Sequence, residues 1–281
     1  MNLRSLGGVM LYFGMNVLLI WFILGRASAE VLPVLLACYF GGVLISLSPI
    51  GEKILYLFAG AKPIPRKDMN IKIVPLLENV LYRAKRAMPS MTGAVRLRFV
   101  DDPAPLAYAL GRRTICVTEG LLRLPDALVM GALAHETAHL AYRHTTVQLL
   151  FGGGNLFVTA FIFTIKLALK LCAVISGAAI FRRNSRATGI VMTVFAVVVH
   201  GAVSAWTKLS MAFLCLGRRE NEFIADAFAY EIGFGNELAA VLDKLHAPKK
   251  SSFLSALFSE HPPVHERIGR LQEMGATYRS Y

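Results

Sequence analysis

Residues 125–150 read PDALVMGALAHETAHLAYRHTTVQLL, and this stretch decides the fold. Pro125 and Asp126 make a helix start, and Leu128, Val129, Ala132, Leu133 and Leu140 follow at helical spacing. They predict a helix to about Leu150, ahead of Gly152, Gly153 and Gly154. Inside that helix lie His135, Glu136, Thr137, Ala138 and His139, an H-E-x-x-H. Residues four apart on a helix are about 40° apart around its axis, so the two imidazoles converge on one tetrahedral ion, the geometry zinc prefers. Glu136 stands beside them, placed to take a proton from a water that such an ion acidifies as the water attacks a carbonyl.

A catalytic zinc needs a third protein ligand and one open position. No third histidine follows at metzincin spacing; the candidates are acidic and lie in the run Arg218 to Asp226. Glu222 and Asp226 are one turn apart and share a helical face, with Glu220 roughly opposite. One carboxylate of the shared face would bind the metal and the other orient a ligand histidine. His144, nine residues after His135, falls half a turn away on a continuous helix and reads as a non-ligand.

Upstream of the motif, Pro75 precedes a helical pattern at Leu76, Leu77, Val80, Leu81 and Ala84. Val95, Leu97 and Phe99 alternate with Arg96 and Arg98, and Leu106 to Leu110 and Thr114 to Thr118 read as two further short strands around Gly111. Downstream, helical patterns cover Glu220 to Glu231 and Leu238 to Leu245, and Pro262 and Pro263 precede a last short helix. The chain has no internal repeat.

Four stretches carry no Asp, Glu, Lys or Arg: Leu6 to Gly25, Val31 to Gly51, Thr145 to Ile165 and Ala187 to Thr207. At 20 or 21 residues each, they are long enough to cross roughly 30 Å of hydrocarbon as helices. With 55% hydrophobic residues and a mean hydropathy of +0.53, the chain of 281 residues is neither disordered nor a purely soluble enzyme. The first apolar run is long for a secretory signal and is followed at once by a second, so the two read as a retained hairpin. The remainder suffices for one domain.

The net charge of +12 points to an anionic membrane surface rather than to nucleic acid, since no C-x2-C pair, aromatic–glycine RNA-binding pattern or basic recognition helix accompanies it. Cys38, Cys116, Cys172 and Cys215 are not at metal-ligand spacing and read as packing residues. The basic run from Lys53 to Arg86 places the residues after the first hairpin in the cytoplasm. His135 and Glu222 must meet at one ion, so zero or two crossings separate them. Two crossings, the preferred reading, put Arg182, Arg183 and Arg186 outside, against the positive-inside rule. Lys166 and Lys170 read as snorkelling, and His200 as a satisfied intramembrane histidine.

H-E-T-A-H followed by E-F-I-A-D and then by His261, Pro262, Pro263 and Arg267 resembles the HtpX-type membrane metalloproteases, in a broader family that includes the CAAX prenyl proteases. The resemblance covers essentially the whole chain, including the order of its apolar segments. It implies an α+β, mainly α-helical, multi-pass membrane protein with a zincin-like domain carrying a small β-sheet. The hairpin occupies 1–51, the first part of the protease domain 52–150, a second membrane or membrane-associated hairpin 151–217, and the second part of the domain 218–281. One zinc ion bound by His135, His139 and Glu222 is implied, with Glu136 as general base and Asp226 supporting a ligand. His261 and Arg267 match positions near the active site of the broader family, where either would steady an oxyanion. Tyr108 and Ala109 lie on a strand where relatives hold substrate backbone by strand addition. Leu106 departs from the asparagine of relatives, and Asn221 stands where many have a basic residue.

The implied activity is zinc-dependent endoproteolysis of misfolded or damaged membrane proteins at a bacterial-type cytoplasmic membrane, with the catalytic domain facing the cytoplasm. Membrane lipids and those substrates are the expected partners, with no nucleic acid. The alternatives are a narrow processing protease and a non-catalytic membrane scaffold.

Overall fold

Ser48 and Pro49 cut the second apolar run in two: the Ser48 hydroxyl accepts the Ile50 N–H at 3.1 Å, and Pro49 takes the first helical position, where its missing N–H costs nothing. The computed structural model, which describes residues 3–21, 30–65, 67–91, 93–147, 149–150, 185–244 and 262–278, therefore opens with α1 (Leu3–Ile20), α2 (Val31–Ser46) and α3 (Pro49–Ala59). By length and hydropathy α1 is able to cross a bilayer, and α2 with α3 passes the same test only as a pair bent by 68°. Gly60, at φ +63°, ends α3 in the left-handed conformation.

Helix α4 (Lys67–Ala87) starts two turns before the expected opening at Pro75 and carries that proline inside it. Tertiary contacts hold those turns: the Lys72 ammonium donates to the carbonyls of Leu122 and Leu124 at 2.8 and 3.1 Å and pairs with Asp126 at 3.2 Å. Ile73, Leu77, Val80 and Ala84 face the core from the same helix.

Three short strands follow as expected, β1 (Arg96–Val100), β2 (Ala107–Leu110) and β3 (Thr114–Thr118). Their order is β1-β3-β2, with β3 parallel to β1 and antiparallel to β2. The outer edge of β1 is bridged by Lys62, which exchanges two 2.8 Å hydrogen bonds with Phe99. Strand β2 forms the other edge. Its turn into β3 sits on α3, where Glu52 accepts the Arg112 N–H at 2.8 Å and the Tyr56 hydroxyl lies 2.7 Å from Thr114 Oγ1.

After the short α5 (Glu119–Leu122) comes α6 (Asp126–Ala141), the helix of the H-E-x-x-H. It stops well before Leu150 because Arg143 turns into the left-handed region at φ 57°. Then come α7 (Ser185–Leu214), α8 (Arg218–Glu231), α9 (Gly235–Lys244) and α10 (Val264–Glu273). Helix α6 is the centre of the domain, packed between α4, α8, α9, β2 and β3. Leu133 and Val129 of α6, Phe228 of α8, Leu238 of α9 and Leu271 of α10 belong to one buried cluster. Both halves of the domain thus share a core, although the apolar segments of 145–217 separate them in sequence. Helix α1 packs on α7 at Gly8, where any side chain would overlap the Phe213 carbonyl. His261, Lys166, Lys170, Gly152 to Gly154, Arg182 and Arg183 lie outside the described residues.

Candidate metal centre and substrate edge

Two turns of α6 and one of α8 build the centre. His135 and His139 project from one face of α6 with their Nε2 atoms 3.1 Å apart. Glu222 reaches across from α8, placing its carboxylate oxygens 3.5 Å from His135 Nε2 and 3.4 Å from His139 Nε2. A tetrahedral zinc with ligand bonds of about 2.0–2.1 Å requires its donors to lie about 3.3 Å from one another. The three observed separations bracket that value. His135 and Glu222 are buried, and Glu220 is exposed on the far side of α8. Among the described residues this is the group of His, Cys, Asp and Glu side chains whose ligand atoms approach closely enough to hold a metal.

Behind the ligands stands a charged pair. Asp226, 1% exposed, accepts two hydrogen bonds from the Arg267 guanidinium, at 2.8 and 2.6 Å, and its Oδ1 is 2.9 Å from His135 Nδ1. This is the carboxylate–histidine arrangement that fixes a ligand's tautomer with Nε2 bare. Burial pushes the Asp226 carboxyl up, but the Arg267 charge and hydrogen bonds outweigh it and hold the group below its ordinary value. Burial and the charge of Arg267 pull His135 down, yet its hydrogen bonds to Asp226 and Glu222 outweigh both and raise it to about 9. The same carboxylates hold Arg267 above its ordinary value against the pull of burial. Glu222 and Asp226 lie against the guanidinium of Arg267, and Glu136, turned the other way, adds a third carboxylate to the neighbourhood. With both imidazoles neutral, as ligation of a metal would require, three carboxylates against one guanidinium leave two negative charges, the complement of a divalent cation. Donor set, spacing and charge all fit zinc.

Arg267 was a family-matched candidate for the oxyanion; here its guanidinium, from α10, is turned onto Asp226 and lies 3.5 Å from Glu222. Pro263 begins α10 and so sets the position of Arg267 one turn on, where the Arg267 N–H is bonded to the Pro263 carbonyl.

Glu136 points to the other side, toward the sheet. Its Oε2 accepts the Ala109 N–H at 2.6 Å. The Thr118 N–H bonds to the Leu106 carbonyl, so Leu106, Tyr108 and Leu110 turn their backbone groups toward β3, and Ala107 and Ala109 turn theirs to the outer edge. That edge meets α6 at Glu136, next to His135, where an extended peptide could add as a strand. Leu106 has its backbone N–H on Thr118 Oγ1, at 2.9 Å. The Tyr108 phenol is hydrogen-bonded to Cys116, and burial raises its pKa, so it stays neutral.

Two contacts at the centre escaped the sequence. Asn221 donates to the Ser5 hydroxyl at 3.2 Å, tying the residue before Glu222 to α1. His144 lies with its Nδ1 3.0 Å from His139 Nδ1; burial first, then the charge of His139, push it down to about 3. His144 is not in the group whose ligand atoms converge, but because α6 ends at Arg143 its ring comes back against His139 and not half a turn away.

The family model that matches the chain is peptidase family M48, over residues 75–275. Curated proteins called "Protease HtpX homolog" are similar to it. That of Tropheryma whipplei strain TW08/27 is 29% identical over 248 residues, 79% of each chain. That of Bacteroides fragilis strain YCH46 is 28% identical over 252 residues, 79% of this chain and 74% of the relative. The Dictyoglomus thermophilum protein is 25% identical over 252 residues, 81% and 77% of the two chains.

Proposed function

The chain belongs to peptidase family M48, and from that premise we propose that it is a zinc-dependent, membrane-embedded endopeptidase acting on misfolded or damaged membrane proteins. The observation that carries the reading is the triangle of His135, His139 and Glu222 with Glu136 set between it and the edge of β2. His135 Nε2, His139 Nε2 and Glu222 would hold the ion, which when bound supplies Lewis-acid polarisation of a carbonyl and acidifies water.

The protein's own groups do the rest. An extended substrate pairs with the outward groups of Ala107 and Ala109, which sets the scissile bond beside α6. Pairing of the substrate takes the Ala109 N–H away from Glu136. The freed Oε2 then accepts the proton of the attacking water and hands it to the leaving amine. Asp226 and Arg267 keep His135 oriented throughout. His261 remains a candidate donor to the oxyanion.

The membrane reading rests on α1, on the bent pair α2–α3, and on the charge-free stretch Ala187 to Thr207 within the 30-residue α7. Exposed Val194, Val197 and Val198 on α7, and Val34, Leu44 and Ile45 on α2, are apolar surface of the kind lipid covers. The proximity of His135 to Glu222 requires an even number of crossings between them, and we favour two. The basic residues Lys53 to Arg86 support the cytoplasmic side for the domain by the positive-inside rule.

The test pairs zinc content with cleavage of casein in detergent for wild type, Glu136→Gln and Glu222→Ala. Glu136→Gln is expected to keep zinc and lose at least about 100-fold in rate, and Glu222→Ala to lose both. Wild type without zinc, or an active Glu136→Gln, overturns the reading. A panel of membrane proteins then separates quality control from processing, since a single sharp site counts against the former.

A further inference from the structure

Histidine ligands work through one nitrogen, and the proton on the other needs an acceptor. For His135 the acceptor is Asp226. For His139, among the described residues, no carboxylate or backbone carbonyl stands at its Nδ1; the neighbour is the Nδ1 of His144, 3.0 Å away.

The approach is built by the end of α6. The Arg143 N–H bonds to the Leu140 carbonyl at 3.2 Å and the His144 N–H to the His139 carbonyl at 2.9 Å. This pair of bonds is the Schellman motif, with Arg143 at the left-handed position and His144 just beyond it. Glycine usually takes the left-handed place, since a Cβ there costs roughly 1–2 kcal/mol. Arg143 is the one non-glycine residue with positive φ among those described. The motif commonly brings the residue after the turn against the one five positions earlier. Here those two residues are His144 and His139. The His144 ring is 8% exposed and stacked on Tyr142, at 5.7 Å and 16°, and Tyr142 packs edge-on against Phe228 of the core.

The hydrogen-bond roles follow from the ligand geometry. His139 Nε2 faces His135 Nε2 and Glu222, so it must present a lone pair, and the proton of a neutral ring is then on Nδ1. A proton on His139 Nδ1 requires a lone pair on His144 Nδ1. His144 then carries its own proton on Nε2, which is buried and has no protein partner among the described residues.

We propose that His144 is a positioning residue for the metal centre: its Nδ1 accepts the Nδ1–H of His139 and fixes the tautomer and rotation that aim His139 Nε2 at the ion. The two ligand imidazoles are thus oriented differently, His135 by an anion and His139 by a neutral ring. A second carboxylate behind His139 would add negative charge to a centre that already carries an excess. The neutral acceptor orients without adding any. This inference rests on the zinc reading given above.

The experiment measures zinc affinity of the full-length protein in detergent by competition with a fluorescent chelator, together with melting of the metal-free form. His144→Leu fills the space without an acceptor, and His144→Asn offers an amide oxygen near the position of Nδ1. His144→Leu is expected to bind zinc 10- to 100-fold more weakly, and His144→Asn to stay within about threefold of wild type, the scale of a retained hydrogen bond. An unchanged affinity in His144→Leu overturns the proposal. Equal losses in both variants also overturn it, since packing and not acceptance would then be at work. Wild type that binds no zinc refutes the metal reading itself, a separate result. Should His144→Leu fail to fold, nitrogen NMR of the histidine-labelled, zinc-loaded wild type decides. A protonated Nδ1 on His139 facing an unprotonated Nδ1 on His144 supports the assignment, and a protonated Nδ1 on His144 overturns it.

Discussion

Gly131 lies one turn before His135, on the face of α6 that crosses α9. A Cβ built there would stand 2.5 Å from the carbonyl carbon of Glu237, 2.6 Å from the Leu238 nitrogen and 2.8 Å from the Glu237 oxygen. These are backbone atoms, so no rotamer change relieves them. Contact distances of about 3.5 Å require the helices to part by about 1 Å. Helix propensity argues the other way, since alanine is worth about 1 kcal/mol over glycine inside a helix. Overpacking of a filled interior costs about 1–3 kcal/mol, and clashes with a rigid backbone belong at the upper end. The net expectation for Gly131→Ala is about 2 kcal/mol of destabilisation, or a Tm lower by about 4–8 °C for a domain of this size. Separation of α6 from α9 also strains the seat of α8, which packs on both and carries Glu222. Zinc affinity should therefore fall with stability. The assay is thermal unfolding followed by far-ultraviolet circular dichroism, in a Glu136→Gln background that prevents self-cleavage. A Tm equal to or above that of the parent would show that propensity outweighs the crossing, and the close approach of α6 and α9 would be refuted.

Arg267→Met leaves Asp226 buried beside Glu222 without its guanidinium, and loss of one partner of a buried pair costs about 3–5 kcal/mol. Chemical denaturation in detergent should register that loss, whereas the same substitution at exposed Arg219, paired with Glu266, should change stability by less than about 1 kcal/mol. Asp226 also gives the metal-free protein an acid-sensitive component. Its folded carboxyl lies below the unfolded value of about 3.9, so its contribution is complete above that value and lost as pH falls through the folded one. Below about pH 5, where His135 is protonated in both folded and unfolded chains, the stability advantage of wild type over Asp226→Asn should shrink as the carboxyl takes up its proton. An advantage that keeps growing as pH falls from about 5 to 3 would contradict the ion pair.

Local chemistry is what the sequence made readable. Pro125 and Asp126 mark the start of α6, alternation marks β1, and the one-turn interval of Glu222 and Asp226 puts both carboxylates on the buried side of α8. Each of these depends on residues within a turn or two. The end of α6 was not readable, because the left-handed turn is taken by Arg143 where glycine would have announced it. The break at Ser48 and Pro49 did carry a helix-start signal, but an apolar run of unbroken hydropathy hid it. The early start of α4 needed the Lys72 contacts to residues some 50 positions away. The order β1-β3-β2, which exposes β2 to α6, is likewise long-range, since either outer strand satisfies the same alternation. Arg267 was found through its place after His261 and Pro262, yet its partner Asp226 was assigned only to a histidine. A guanidinium facing a carboxylate across 41 residues leaves no trace in spacing.

The charge of the centre explains why its parts come from distant segments. Glu222 and Asp226 on one helix face, both buried, repel each other, and neither would stay ionised in an apolar interior alone. Arg267 from α10 neutralises one of them through paired hydrogen bonds, and His135 from α6 bonds to both. The remaining negative charge is what a divalent cation would take up. A buried carboxylate pair of this kind is therefore tolerable only with α6 and α10 packed against α8. The cluster that unites them runs from Leu133 through Phe228 to Leu271 and is held by apolar burial. The apolar core holds the two halves of the domain together, and the charged centre is satisfied in the arrangement in which His135, His139 and Glu222 form a triangle of the right size.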